Sequence, residues 1–190
     1  MPHLLSLTGP GGSRKTTIAE RMLRRMPRTY MVESYTTRTR RESDLPGEYC
    51  YAPSDLFETM QKEGVFLWAE LHLEKYYGTR TGSIDEVFMR KWDTVGIMIL
   101  IPKVIPVLRE RLASIGKLKH HVPVFIVPPP EDVLRARLLK RGDSPEDTER
   151  RIQAAVSWEQ EARASGIPYH FISNDGDLEY AIGKIVCLVC

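Results

Sequence analysis

Gly9-Pro10-Gly11-Gly12-Ser13-Arg14-Lys15-Thr16-Thr17 follows directly on the apolar run Leu4-Leu5-Ser6-Leu7. The pattern G-x-x-x-x-G-K-[ST] is met at Gly9, Lys15 and Thr16, with Arg14 where the second glycine belongs. Glycines let a backbone turn tightly and bring successive N–H groups against phosphate oxygens. Lys15 supplies a point charge for β- and γ-phosphates, and the Thr16 hydroxyl is a candidate Mg²⁺ ligand. Ile18, Met22 and Met26 then mark one helical face that stops at Pro27. Strand, loop and helix in this order form a phosphate-binding loop, and the helix dipole adds to its attraction for an anion.

Arg14 admits three readings. A right-handed helical backbone at the helix start would tolerate it, its guanidinium could add a cation for the α- or β-phosphate, or its Cβ could crowd the loop and weaken nucleotide binding.

The 190 residues allow one compact α/β domain. Charge is nearly balanced, at +2, which argues against a general nucleic-acid binder. The chain enters a strand within three residues, so no signal peptide is expected. The apolar stretch 96–108 is broken by Pro102, Lys103 and Pro106, so no membrane span is expected either. A soluble cytoplasmic protein is the default, and the sequence leaves monomer and homodimer open. Cys187 and Cys190 have C-x-x-C spacing without further ligands and read as small apolar residues of the last helix.

Strands are expected at 4–8, 30–35, 95–101, 122–127 and 170–173. Helices are expected at 16–26, 54–63, 84–91, 104–114, 131–141, 145–164 and 177–189. Alternation with fully apolar strands predicts a mostly parallel sheet covered on both faces, the three-layer arrangement of P-loop NTPases. Core segments 1–32 and 82–190 would carry an inserted lobe at 33–81, where short aromatic strand-like pieces occur. Arg135, Arg137, Arg141, Arg150 and Arg151 mark a lid at about 131–155.

Together these pieces resemble the guanylate kinase family over nearly the whole chain. The signature S-x-T-T-R-x-x-R reads Ser34-Tyr35-Thr36-Thr37-Arg38-Thr39-Arg40-Arg41. Gly47-Glu48, Tyr49 and Tyr51, Trp68-Ala69 and Tyr76-Tyr77-Gly78-Thr79 follow in the family's order. Further on come Phe125-Ile126-Val127-Pro128-Pro129-Pro130, the lid arginines and Asn174-Asp175. The resemblance implies an ATP- and Mg²⁺-dependent phosphotransferase acting on a small phosphomonoester, most simply a nucleoside monophosphate. It places Ser34, Arg38, Arg41, Tyr49, Tyr77 and Thr79 at the acceptor. Residues 9–17 and Asn174 fall at the donor nucleotide, and Arg137, Arg141 and Arg151 close on the transferring group.

Two departures stand out. Leu67 occupies the position of the acidic residue that contacts guanine in this family. Ile99-Leu100-Ile101-Pro102 stands where a D-x-D pattern is expected, with Glu70 and Glu74 as nearby acids. They leave open a ribose 1,5-bisphosphate phosphokinase, a related enzyme with no base to recognise, and Lys103 and Pro106 echo it. A non-catalytic guanylate-kinase-like module that binds phosphoproteins is a third reading.

Overall fold

After His3, the residues of the first strand are all buried, so apolar side chains must leave both of its faces covered. In the computed structural model, which describes residues 1–72, 74–90, 93–174 and 176–189, this strand is β1 (His3–Thr8). It is central in a five-stranded sheet. The order is β2-β7-β1-β8-β9, with β2 Thr29–Met31, β7 Val95–Ile99, β8 His121–Val127 and β9 His170–Ser173. β2 runs parallel to β7, and β8 parallel to β9. The expected α/β architecture with a mostly parallel sheet is thus the observed one.

The expected single strand at 30–35 is two strands in different sheets. The Val32 N–H still donates to Ile97 of β7, whereas the Ser34 N–H donates to Glu48. The chain changes partners at Glu33, and β3 (Ser34–Thr36) enters a four-stranded sheet of order β4-β3-β6-β5. Here β4 is Tyr49–Tyr51, β5 Phe66–His72 and β6 Lys75–Arg80. β6 pairs antiparallel with both β3 and β5. The strand expected to reach residue 101 ends at Ile99, because Pro102 opens a 3₁₀ turn.

The helices are α1 Lys15–Arg25, α2 Ser54–Lys62, α3 Thr81–Met89, α4 Ile105–Ser114, α5 Glu131–Lys140, α6 Pro145–Ala164 and α7 Leu178–Val189. α1 buries Ile18 and Met22 of the expected face together with Ala19, whereas Met26, expected on the same face, falls just past the helix end and is half-buried. α3 starts three residues before its expected start, and the expected end at Lys91 lies outside the described residues, as do Asp175 and Cys190. Ser144 caps α6 as its side chain accepts from the Asp147 N–H, with Pro145 in the first turn.

Contacts divide the chain into two compact units. One contains residues 1–4, 26–98 and 104–121, including the four-stranded sheet, α2, α3 and α4. The other contains residues 5–25, 99–103 and 122–190, with the glycine-rich loop, α1, α5, α6 and α7. Among the described residues, no helix is long and apolar enough to cross a membrane.

In the first unit, fully buried Phe57 of α2 stacks on Phe66 at 4.5 Å and on Tyr76 at 5.4 Å between ring centroids. It is the plug of the small sheet. Phe57→Ala is expected to destabilise the protein by about 3–5 kcal/mol, measured by urea unfolding.

Candidate active site

In the second unit the loop between β1 and α1 is shaped by residues that cannot be exchanged cheaply. Gly9 has φ 132°, and a Cβ there would lie 2.5 Å from the Ile126 carbonyl oxygen of β8. Gly12 has φ 81°, and its Cβ would meet Leu134 of α5 at 2.7 Å. Arg14 also adopts a left-handed conformation, φ 64°. The right-handed helical backbone considered for Arg14 is therefore not what the chain adopts. A side chain held in this region costs on the order of 1–2 kcal/mol.

Ser13 is fully buried, and its hydroxyl donates to the Pro10 carbonyl at 2.8 Å. The Asn174 amide, also buried, donates to the Ser13 carbonyl at 2.9 Å. Asn174 thus braces the loop from behind. Lys15 is folded back on the loop, its Nζ donating to the carbonyls of Gly9 at 2.7 Å and Pro10 at 2.8 Å. Thr16 and Thr17 follow in the first turn of α1, both half-buried.

The lid arginines separate into two groups. Arg137 of α5 donates from Nη1 to the Gly12 carbonyl at 3.4 Å. Arg151 of α6 brings Nη1 within 3.1 Å of the place a Cβ on Gly11 would take. Its Nε lies 3.0 Å from Asp143 Oδ2, an ion pair whose N–H is not aimed at that oxygen. Arg141 is instead turned onto Asp143, and Arg135 and Arg150 are paired with Glu131, Glu149 and Asp147. Leu134, Leu138, Ile152 and Ala155 form the apolar seam that fixes α5 against α6. Burial, and then the charge of Arg14, lowers the Arg137 pKa.

The first unit holds the residues expected at the acceptor. Arg38 is nearly buried and its Nη1–Nη2 edge grips Asp44 at 2.7 and 2.6 Å. Nη1 also donates to the Thr39 carbonyl at 2.9 Å, and the guanidinium lies 4.7 Å from the Tyr49 ring centroid. The Nε–Nη2 edge shares Nη2 with the Asp44 clamp and is the other edge that the guanidinium can offer to an anion. Asp44 also accepts from the Arg41 backbone N–H at 2.7 Å and from the Tyr51 hydroxyl at 2.6 Å. Burial alone would raise the Asp44 pKa, but the hydrogen bonds from Arg38, Tyr51 and Arg41 hold it down at about 2. For Arg38, burial works against the charge, and Asp44 more than reverses it. The half-buried Tyr49 phenol is pushed far up by desolvation and then by Glu48.

Ser34 and Thr79 share a buried hydroxyl–hydroxyl hydrogen bond of 2.7 Å. Tyr77 stands edge-on to Tyr49 at 6.1 Å. Ser34, Arg38, Tyr49, Tyr77 and Thr79 therefore lie in one small-sheet unit. The Arg41 side chain is exposed and makes no hydrogen bond or ion pair among the described residues. Asp44 is the residue of this cluster that motif reading passes over, and Tyr51, quoted with the family's aromatics, has no role assigned by that reading. An acid six positions after Arg38 in a basic segment is the available signal for Asp44. Leu67 falls where the β5–β6 register shifts between Phe66 and Trp68, a bulge that re-aims one side chain.

A mostly parallel sheet with this loop, a lysine on it and arginines from two neighbouring helices defines a P-loop nucleotide kinase fold. The comparisons with known proteins narrow that class. The guanylate kinase family model matches residues 1–188. A guanylate kinase of Symbiobacterium thermophilum is 32% identical over 190 residues, covering 98% of this chain and 83% of that protein. One of Synechocystis sp. is 32% identical, covering 98% and 93%. The crystal structure of guanylate kinase from Anaplasma phagocytophilum superposes with a TM-score of 0.72 at 19% identity, over 98% of this chain and 84% of that one. The chain belongs to the guanylate kinase family and is an enzyme of the nucleoside monophosphate kinase type. The ribose bisphosphate and scaffold readings are not favoured by these relatives.

Because the Asp44 pKa is depressed in the fold from 3.8 to about 2, its contribution to stability is complete above about pH 4 and is lost as pH falls through about 2. Asp44→Asn is expected to remove that part of the acid transition, followed by circular dichroism. It is also expected to raise the acceptor KM about tenfold while leaving the ATP KM unchanged.

Proposed function

We propose that this enzyme transfers the γ-phosphoryl group of ATP to the phosphate of a nucleoside monophosphate, with GMP accepted but guanine read loosely. The observation that carries the donor half is the gathering of Lys15, Arg137 and Arg151 about one glycine-rich loop. Phosphoryl transfer asks for positioning and charge neutralisation more than for acid–base chemistry. Backbone N–H groups of residues 9–17 cradle the phosphates, and the Lys15 ammonium exchanges two carbonyls for phosphate oxygens. Arg137 and Arg151 meet the charge on the transferring group, and Arg141 joins them by leaving Asp143.

On the acceptor side, the open edge of Arg38, the hydroxyls of Tyr49 and Tyr77 and the free guanidinium of Arg41 suit a phosphomonoester dianion. Ser34 and Thr79 offer hydroxyls to the remainder of the acceptor. Guanine presents N–H donors, and Leu67 cannot accept from them. A site that loses such an acceptor forfeits roughly two orders of magnitude of discrimination. Asn174 serves the donor nucleotide indirectly, through the loop that it braces.

Mg²⁺ fits the donor site. Thr16 makes no hydrogen bond from its side chain among the described residues, so its hydroxyl is available as a ligand. Phosphate oxygens and water complete the octahedra that Mg²⁺ prefers. Among the described residues no group of three or more His, Cys, Asp or Glu side chains could hold a metal. The bound ion would neutralise phosphate charge, and Thr16 would fix its place.

The test is ADP release across a panel of nucleoside monophosphates, with ribose 1,5-bisphosphate as a control. Turnover is expected with GMP and, within about tenfold, with another nucleoside monophosphate. Failure of every nucleoside monophosphate overturns the reading. Lys15→Ala is expected to lower kcat by about 100-fold or more. Leu67→Glu is expected to sharpen the preference for GMP over AMP by about tenfold in kcat/KM, since it restores an acceptor for guanine's donors.

A further inference from the structure

Arg14 is an expensive choice at its position. Its φ of 64° is one that glycine adopts freely, and only one other non-glycine among the described residues, Glu74 in the β5–β6 turn, has a positive φ. The Ile18 N–H donates to the Arg14 carbonyl at 3.0 Å, so the main chain there is fixed by the start of α1. The guanidinium gains nothing within the fold. It is exposed and makes no hydrogen bond or ion pair among the described residues. Its charge acts against that of Arg137, whose pKa is lowered by burial and then by Arg14. Arg137 in turn reaches the Gly12 carbonyl, two residues before Arg14. Asp143 is shared by Arg141 and Arg151.

A left-handed residue that carries an exposed guanidinium on the loop that holds phosphate calls for an anion with several charges. We propose that the Arg14 side chain is itself a ligand of the donor's polyphosphate, a cation added to that of Lys15. The inference rests on the donor site assigned under Proposed function. It makes the loop tighter for nucleoside triphosphate at the expense of the stability of the empty protein.

The experiment measures ATP and AMP binding by calorimetry, without acceptor, alongside thermal unfolding of the ligand-free protein. Arg14→Gly relieves the strain and removes the charge. It is expected to raise Tm by about 2–4 °C and to weaken ATP binding about tenfold while AMP binding is unchanged. Arg14→Ala keeps a Cβ in the left-handed region and removes the charge, so ATP binding should weaken equally with a smaller rise in Tm. Arg14→Lys should recover part of the affinity. A merely structural role would not move stability and affinity in opposite directions. ATP binding by Arg14→Gly as tight as that of the wild type, or tighter, overturns the inference and leaves the donor site standing. Wild-type protein that binds no ATP at millimolar concentration overturns the donor site itself, and the inference with it.

Discussion

Positive charge must wait in place before a phosphate arrives, and holding each cation without cancelling its charge is the constraint that shapes this protein. Each cation is kept in position by a different device. Lys15 leans on two carbonyls of its own loop, and Arg38 is clamped by Asp44. Arg141 and Arg151 share Asp143, whereas Arg137 has a carbonyl at the limit of hydrogen-bond length. Carbonyls and shared carboxylates hold a cation without cancelling it. The charge stays available to a ligand that offers more oxygens.

The Arg38–Asp44 pair shows how such holding also gives direction. A guanidinium has two edges able to make bidentate contacts, and on a free side chain both sweep through many orientations. With the terminal edge bound to Asp44, and Asp44 bound in turn by Tyr51 and the Arg41 N–H, the remaining edge has one orientation. Tyr49 beneath the guanidinium completes the support. The ordering entropy is met during folding rather than during binding.

Much of this was legible in the order of the residues. The loop motif and the apolar spacing of Ile18 and Met22 in α1 each follow from local chemistry that acts within a few positions. What escaped was set by distant partners. Tyr30 to Tyr35 has the composition of one strand, and it becomes two because the hydrogen-bond partner changes from Ile97 to Glu48. Strand β6 is dominated by a motif, Tyr76-Tyr77-Gly78-Thr79, whose extended form depends on pairing with β3 and β5. Five lid arginines are equivalent on paper. Which of them reaches the loop is decided by where Glu131, Asp143, Asp147 and Glu149 fall. The left-handed Arg14 was hidden for a simpler reason, since composition does not report a dihedral angle.

The Asn174 brace has one further consequence. Its amide spans 161 positions of sequence to hold the carbonyl of Ser13, and Asn174 sits just after β9. The glycine-rich loop thus takes its final shape from a residue 161 positions downstream of Ser13. A ribosome that has released the first hundred residues has made a glycine-rich loop without its fastening. Competence to grip a nucleotide is therefore acquired only after Asn174 has been made.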